Sequence, residues 1–301
     1  MKTKVPVIID TDIGGDIDDA LALAFALNSP ELDLRAVTTV NTDPAMRARI
    51  AAKMLRTFGR EDVPVAPGEK RQFDGSPTFC KDINQAVLVS VEDPVMTSDP
   101  TAVEVIVETV RNCSDALTII GVGCWTNIAR AFERAPELSD AVGRLVLMGG
   151  QISPPGSESN VLCDPAAAAF VLDLPVKKLL VPLDVTAQCR YAARRHEDLV
   201  SAGGQQNELV RDLMRAWHIG RHGGDSRAEP VLHDPLAVAV AFDPSLIRQL
   251  DSMRVTVSYG SKGDPPVTIP KPGLPNADVV LGVDRTRFEE LFAERILSPE
   301  P

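Results

Sequence analysis

Five aspartates crowd a single junction near the start of the chain. Asp10, Asp12, Asp16, Asp18 and Asp19 fall within ten residues, between a β-branched apolar run and an apolar stretch that favours a helix. So many like charges repel one another unless a cation lies among them. Carboxylate oxygens are ligands that Ca²⁺ and Mg²⁺ prefer, whereas Zn²⁺ is bound mostly by nitrogen and sulfur. Helix capping accounts for one or two of these residues, but not for five. The cluster therefore predicts a site for a hard divalent cation.

The elements around this junction have the pattern of a parallel sheet covered by helices, because apolar strands alternate with helical segments along most of the chain. Residues 5–9 are β-branched and continuous, as in a strand that is buried on both faces. Asp18 or Asp19 opens a helix that runs through Leu27 and closes at Pro30. Further strands are predicted at residues 34–40, 117–120, 144–148 and 179–183. Further helices are predicted at residues 44–58, 102–110, 127–133, 165–172, 207–219, 235–241 and 285–296.

The length and composition fit one large domain of this kind. With 301 residues the chain can bury a full core, and 44% hydrophobic and 24% charged residues are ordinary for a globular protein. We expect a single α/β domain over residues 1–301, with a mostly parallel, Rossmann-like sheet and helices on both faces. Residues 63–100 are rich in Pro, Gly, Asp and Ser and are expected to be irregular, either as a functional lid or as a loop without a role.

Charge and hydropathy exclude several classes of partner. A net charge of −11 argues against nucleic acid. No apolar run approaches the roughly 18 residues of a spanning helix, and the first residues do not have the pattern of a signal peptide. The cysteines lie singly, without CxxC spacing, which indicates reduced thiols in a cytoplasmic protein. They are Cys80, Cys113, Cys124, Cys163 and Cys189.

Polar side chains follow the predicted strands at the edge where open α/β sheets bind ligands. Besides the aspartates they are Asn41, Thr126, Asn127, Glu158, Asn160, Asp184, Thr186, His233 and Asp234. No GxxxxGK[ST] or GxGxxG segment accompanies them, so this edge lacks a phosphate cradle. The composition of the edge favours a neutral polyol or sugar as the ligand.

Several segments together resemble one known family. DTD…DDALAL, GCWTNIARAF, MGG…ESNVLCDPAAA and VLHDPLAVA occur in this order in the inosine-uridine-preferring nucleoside hydrolases, and ADVVLGVDRTRFEELF is similar to their last strand and helix. The resemblance spans about residues 5–296. It implies the nucleoside hydrolase fold and hydrolysis of a ribonucleoside to ribose and free base, as in purine or pyrimidine salvage. It also implies a homo-oligomer, either a dimer or a tetramer.

The resemblance implies a Ca²⁺ site and a general base. Its ligands would be Asp12, Asp19, the backbone carbonyl of Thr126, and Asp234. Asp12 would also take a proton from the metal-bound water. Asp10 would lie behind the ligands and orient them.

The resemblance also assigns the sugar and the leaving group. The residues implied to hold the ribose hydroxyls are Asp18, Asn41, Glu158 and Asn160. His233, beside the proposed ligand Asp234, is the first candidate for the acid that protonates the departing base. The alternative is that His233 only packs or caps the following helix. His218 and His222 share a helix face beside Trp217 and are expected to pack, with a second metal pair or contact with the base as alternatives.

The chain departs from the family pattern in two places. The commonest motif is DxDPGxDD, whereas residues 13–17 make this loop two residues longer and add Asp16, which could replace one of the ligands. Many members also carry a histidine where this chain has RQFDGSPTF, so the chemistry of the leaving group is open.

Three rival functions remain at the level of sequence. The first is hydrolysis of a riboside other than a nucleoside. The second is a phosphohydrolase of the haloacid dehalogenase type, in which a DxD after the first strand supplies the nucleophile, although the added DD and HDP have no role there. The third is a protein that binds ribosides without cleaving them.

Overall fold

One large sheet organises the chain. The computed structural model describes residues 4–78, 82–93, 99–259 and 265–297. The strands in these ranges are β1 (Val5–Thr11), β2 (Leu32–Thr39), β3 (Val65–Pro67), β4 (Leu117–Gly121), β5 (Val142–Met148), β6 (Gln151–Ile152), β7 (Pro155–Gly156), β8 (Lys178–Val181), β9 (Ile247–Ser258), β10 (Val267–Lys271) and β11 (Ala277–Val283). Nine of them form a sheet in the order β10-β9-β11-β8-β5-β4-β1-β2-β3, and β6 and β7 form a separate hairpin.

The sheet is parallel from β11 through β3, while β9 pairs antiparallel with both β11 and β10. The helices are α1 (Asp18–Leu27), α2 (Pro44–Thr57), α3 (Ala102–Asn112), α4 (Thr126–Arg134), α5 (Leu138–Ala141), α6 (Ser159–Cys163), α7 (Pro165–Asp173), α8 (Leu183–Thr186), α9 (His196–Ser201), α10 (Gln205–His222), α11 (His233–Phe242) and α12 (Arg285–Arg295). A short 3₁₀ helix spans Asn84–Leu88. No helix within the described residues is long and apolar enough to cross a membrane.

Two apolar cores cover the two faces of the sheet. Successive side chains of a strand point to opposite faces, and β1 shows this alternation. Val7 and Ile9 pack in a core with α1, α2, α10, α11 and α12, whereas Ile8 packs in a second core with α3, α4 and α7. The predicted α/β class, a mostly parallel sheet with helices on both faces, is confirmed.

The structure differs from the sequence prediction in several elements. The hairpin of β6 and β7 and the short helices α5, α6, α8 and α9 were not predicted. The strand predicted at residues 179–183 ends at Val181, because Pro182 has no N–H for the ladder and Leu183 begins α8. Residues 63–100 are not wholly irregular, since they contain β3 and the 3₁₀ helix. The strand β10, at the edge of the sheet beside β9, was also not predicted.

Four of the five cysteines lie within the described residues. Cys113, Cys124, Cys163 and Cys189 form no disulfide. Cys80 lies outside the described residues, as does the last residue of the segment RQFDGSPTF.

Candidate active site

A cavity of about 430 Å³ lies beyond the carboxyl ends of β1, β4 and β5, where a parallel sheet is expected to bind its ligand. Its volume lies in the range of small-molecule sites. The described lining contains six carboxylates and a single arginine. The lining residues are Asp12, Gly15, Asp16, Asp18, Asp19, Val122, Met148, Ser157, Glu158, Ser159, Asn160, Leu183, Arg221, His233 and Asp234.

Three of these carboxylates converge. One side-chain oxygen each of Asp18, Asp19 and Asp234 lies within 4.8 Å of the others, and all three residues are buried. Two of them, Asp19 and Asp234, were predicted as metal ligands, and Asp18 was predicted to bind the sugar. Asp12, the other predicted carboxylate ligand, lies in the same cavity wall without belonging to this group of three.

The carboxylates destabilise one another in their charged form. Burial, followed by the charges of Asp16, Asp19 and Asp12, raises the pKa of Asp18 well above its ordinary value. Burial, followed by the neighbouring aspartates, also raises the pKa of Asp234. A cation among the three oxygens would reverse both effects by compensating the charge. Three buried carboxylate oxygens around one point suit a hard cation such as Ca²⁺ or Mg²⁺.

Two residues that follow β2 in the chain hold Asp12 in place. Asn41 Nδ2 donates to Asp12 Oδ2 at 3.2 Å, and the guanidinium of Arg47 donates to the backbone carbonyls of Asp12 and Ile13. Arg47 is fully buried on α2, and its Nε also donates to the carbonyl of Asn41 at 3.0 Å. The buried guanidinium therefore fixes the backbone of the Asp12 loop from behind the cavity. No pattern in the sequence around Arg47 predicts this position.

The turn after β2 stores backbone strain. Asn41 has φ 77° and Thr42 has φ 53°, although a β-branched residue is rarely left-handed. The turn is fixed by the hydrogen bond from Asn41 N to the carbonyl of Glu69 at 2.9 Å and by Arg47. Strain of this kind persists where the surroundings impose it, and here it aims the Asn41 amide at Asp12. Asn41 does not line the cavity among the described residues, so its contact with Asp12 indicates a positioning role.

Asp10 is completely buried and does not line the cavity among the described residues. Its Oδ1 accepts hydrogen bonds from Thr38 Oγ1 at 2.6 Å and Asn127 Nδ2 at 2.7 Å. Complete burial raises its pKa to about 7, against these two hydrogen bonds, which lower it. Asn127 also accepts from Glu69 N, so one amide joins β1 to the segment after β3.

The lengthened loop between β1 and α1 is braced by the 3₁₀ helix. Gln85 N donates to the carbonyl of Gly14, Asn84 Nδ2 to that of Gly15, and Gln85 Nε2 to that of Asp16. Gly14 has φ 117°, and a Cβ there would lie 2.7 Å from Ile83. Glycine is therefore required at this position. From the sequence, residues 63–100 were expected to be either a functional lid or a loop without a role. The 3₁₀ helix within this segment supports the aspartate loop.

Asp16 does not join the buried carboxylates. Its side chain is half exposed, and its Oδ2 lies 3.6 Å from a guanidinium nitrogen of Arg221 on α10. Its Oδ1 accepts from the backbone N–H of Ile17 at 2.8 Å. The longer loop therefore places the Asp16 carboxylate at the solvent-exposed entrance of the cavity, not among the buried carboxylates.

Glu158 and Asn160 lie in the cavity wall at the start of α6. The Glu158 carboxylate caps this helix, accepting from Asn160 N at 2.8 Å and Val161 N at 3.2 Å, and it also accepts from Gly150 N at 2.9 Å. Asn160 Nδ2 donates to the carbonyls of Val122 and Met148 at 2.7 and 3.2 Å. Backbone groups thus fix the position of both side chains that were predicted to bind ribose.

Thr126 is placed differently from the other predicted ligands. It is the first residue of α4, where backbone carbonyls point along the helix, and its hydroxyl donates to Asp164 Oδ2 at 2.6 Å. It does not line the cavity among the described residues, whereas Val122, four residues earlier at the end of β4, does. Gly123 lets this strand end approach β1, because a Cβ there would lie 2.9 Å from Asp12 N.

His233 is the first residue of α11 and lines the cavity. Its Nδ1 forms a hydrogen bond of 2.8 Å with Thr186 Oγ1. Burial lowers the pKa of His233 to about 4. His218 and His222 pack instead on the ring of Trp217, with centroids 4.8 and 4.4 Å away, and neither lines this cavity among the described residues.

Comparison with known proteins places this architecture in one family. The model of the inosine-uridine preferring nucleoside hydrolases matches residues 7–290. The chain belongs to this family. The matched range covers the aspartate cluster, both walls of the cavity and the start of α11, so the predicted family and enzyme class are confirmed.

Individual relatives match this chain over nearly their whole length. The chain is 31% identical to a pyrimidine-specific ribonucleoside hydrolase RihA from Citrobacter koseri, over 97% of this chain and 98% of that protein. Among solved structures, a plant nucleoside hydrolase superposes with a TM-score of 0.84 at 27% identity, covering 98% of this chain and 99% of the other. A purine-preferring ribonucleoside hydrolase from Gardnerella vaginalis gives a TM-score of 0.77 at 28% identity, covering 97% and 98% of the two chains.

Proposed function

We propose that this protein hydrolyses the N-glycosidic bond of ribonucleosides in a reaction that depends on Ca²⁺. The observation that carries the proposal is the convergence of three buried carboxylates, with Asp12 beside them, in a cavity at the carboxyl edge of the sheet. A nucleoside that enters this cavity meets acceptors for its hydroxyls and a base for water. Family membership supports the same reaction.

Asp19 and Asp234 would bind the cation, with Asp12 and a backbone carbonyl completing the site. Thr126 remains the carbonyl that the family resemblance implies, and Val122, which lines the cavity, is the carbonyl that the geometry favours. Ca²⁺ suits the site better than Mg²⁺ because it accepts many oxygen ligands in flexible geometry. When bound, the cation would lower the pKa of a coordinated water.

Asp12 is proposed as the general base that takes the proton of the attacking water. A general base must be held at a fixed point near that water. Asn41 and Arg47 hold Asp12 through its carboxylate and its carbonyl, which supplies this requirement. Asp12 already lines the cavity, so it can accept this proton without moving.

The ribose is proposed to bind Asp18, Glu158 and Asn160, with Asn41 acting through Asp12. Hydrogen bonds to the hydroxyls that strengthen as C1′ gains positive charge lower the barrier. His233, which lines the cavity, is proposed to act at the leaving base. We further propose that the protein is a cytoplasmic homo-oligomer. Its proposed substrates are pyrimidine ribonucleosides, because the curated RihA relative named above has that specificity.

Purified protein should release ribose and free base from uridine, measured as reducing sugar and by chromatography of the base. The haloacid dehalogenase alternative instead requires phosphate release from p-nitrophenyl phosphate with Mg²⁺. A riboside-binding protein would retain uridine unchanged in equilibrium dialysis. Absence of ribose release from uridine, cytidine and inosine, with Ca²⁺ present, would overturn the proposed function.

A further inference from the structure

Arg221 is the one cationic side chain other than histidine among the described residues that line the acidic cavity. It lies in the last turn of α10, and the 3₁₀ helix packs beside it, since a Cβ on Gly220 would lie 2.6 Å from Asn84. Its guanidinium pairs with Asp16 at 3.6 Å, and the two side chains are 46% and 49% exposed. A loose pair of half-exposed side chains leaves guanidinium N–H groups for a ligand.

The burial of the charged groups indicates how a nucleoside would be oriented in the cavity. Asp18, Asp19 and Asp234 are 5%, 5% and 3% exposed, so they form the floor of the cavity. Asp16 and Arg221 are half exposed, so they form its mouth. A nucleoside whose ribose hydroxyls reach the floor must extend its base toward the mouth. Arg221 is then the cation that this base meets.

Charge balance explains why a cation is useful at that position. When the C1′–N bond breaks, its electron pair stays on the base nitrogen, and the negative charge spreads to the carbonyl oxygens of the ring. The water oxygen forms the new bond to C1′, and its proton goes to Asp12. An arginine fork matches planar anionic oxygens and keeps its charge at any working pH.

We propose that Arg221 is a catalytic residue that donates hydrogen bonds to a carbonyl oxygen of the departing base and stabilises the negative charge that develops there. The inference rests on the proposed function and names its substrate class, which is ribosides of bases with ring carbonyls such as uracil. Asp16, which the lengthened loop places at the mouth, lies beside the guanidinium there. After the bond has broken, the base anion takes a proton from solvent water, and Asp12 returns its proton to solvent.

The test compares two leaving groups in three variants. Uridine needs stabilisation of a strongly basic leaving group, whereas p-nitrophenyl riboside releases a phenolate that is already stable. Arg221→Gln should lower kcat for uridine by about 10²-fold, as loss of one preorganised donor does. It should change kcat for p-nitrophenyl riboside by less than about threefold, since that leaving group gains little from a further donor. Arg221→Lys should retain part of the uridine activity because it keeps the charge.

Arg215→Gln is the matched control, since Arg215 lies on the same helix but lines a different cavity. It should leave both substrates unaffected, and thermal unfolding should show all variants folded. Equal losses of Arg221→Gln on both substrates, or no loss on uridine, would overturn this inference while wild-type turnover keeps the proposed function intact. Failure of the wild type on both ribosides would overturn the proposed function and this inference with it.

Discussion

Replacing Asp12 with asparagine is expected to lower kcat/KM for uridine by about 10³-fold or more. Loss of a general base alone typically costs about 10²–10⁴-fold, and here a proposed metal ligand is weakened at the same time. Asparagine keeps the size of the side chain and can still contact Asn41, so the loop that Arg47 fixes should stay in place. Ribose release under saturating Ca²⁺ measures the effect.

The matched control is Asp33→Asn on β2, which removes one carboxylate that pairs with Arg35 outside the cavity. It should leave kcat/KM within about twofold, because exposed ion pairs contribute little. Both variants should unfold at temperatures close to the wild type. Retention of more than about a tenth of wild-type activity by Asp12→Asn would remove the general-base role.

Removing the 2′-hydroxyl of the substrate is the second change with a large expected effect. Kcat/KM for 2′-deoxyuridine should fall by about 10⁴-fold relative to uridine, because a site built to pair a hydroxyl leaves its own buried polar groups unsatisfied when that hydroxyl is missing. Asp18, Glu158 and Asn160 are nine-tenths or more buried, so water cannot readily replace the lost partner. The measurement is ribose or deoxyribose release from the two substrates under identical conditions.

Asp18→Asn should lower the ratio of kcat/KM for uridine to kcat/KM for 2′-deoxyuridine. The variant loses a contact with the 2′-hydroxyl of uridine, and 2′-deoxyuridine does not make that contact. Turnover of the two substrates within a factor of about ten would remove Asp18, Glu158 and Asn160 from the ribose role.

The fold could be predicted from local sequence because its signals are local. The β-branched run of β1, the paired aspartates that open α1 and the proline that opens α7 each act within a few residues. The short strand β3 and the edge strand β10 carry no such signal. Their residues form strands because β2 and β9 present unpaired backbone groups to them, and that depends on the folded sheet.

The carboxylates of the cavity could be predicted from the sequence, but the residues that hold them in place could not. Clustering after β1 marked Asp12, Asp18 and Asp19, and the HDP segment marked Asp234. Arg47 gave no signal, because a lone arginine in an amphipathic helix is usually solvated, and its burial depends on a loop 34 residues away in sequence.

The proposed backbone ligand is the hardest part of the site to predict from sequence. Any residue supplies a carbonyl, so only the fold decides which one faces the cavity. The structure brings Val122 to the lining and starts a helix at Thr126. The same limit applies to Arg221, whose position depends on how α10 packs against the 3₁₀ helix.

The proposed mechanism depends on a divalent cation that the buried carboxylates hold. The direct measurement is ribose release from uridine by protein treated with a calcium chelator, followed by titration with Ca²⁺, with calorimetry recording binding in parallel. We expect activity to be lost on chelation and to return as a single site fills, and we expect Asp234→Asn to bind Ca²⁺ far more weakly. Full hydrolysis by protein in which elemental analysis finds no metal would contradict this mechanism.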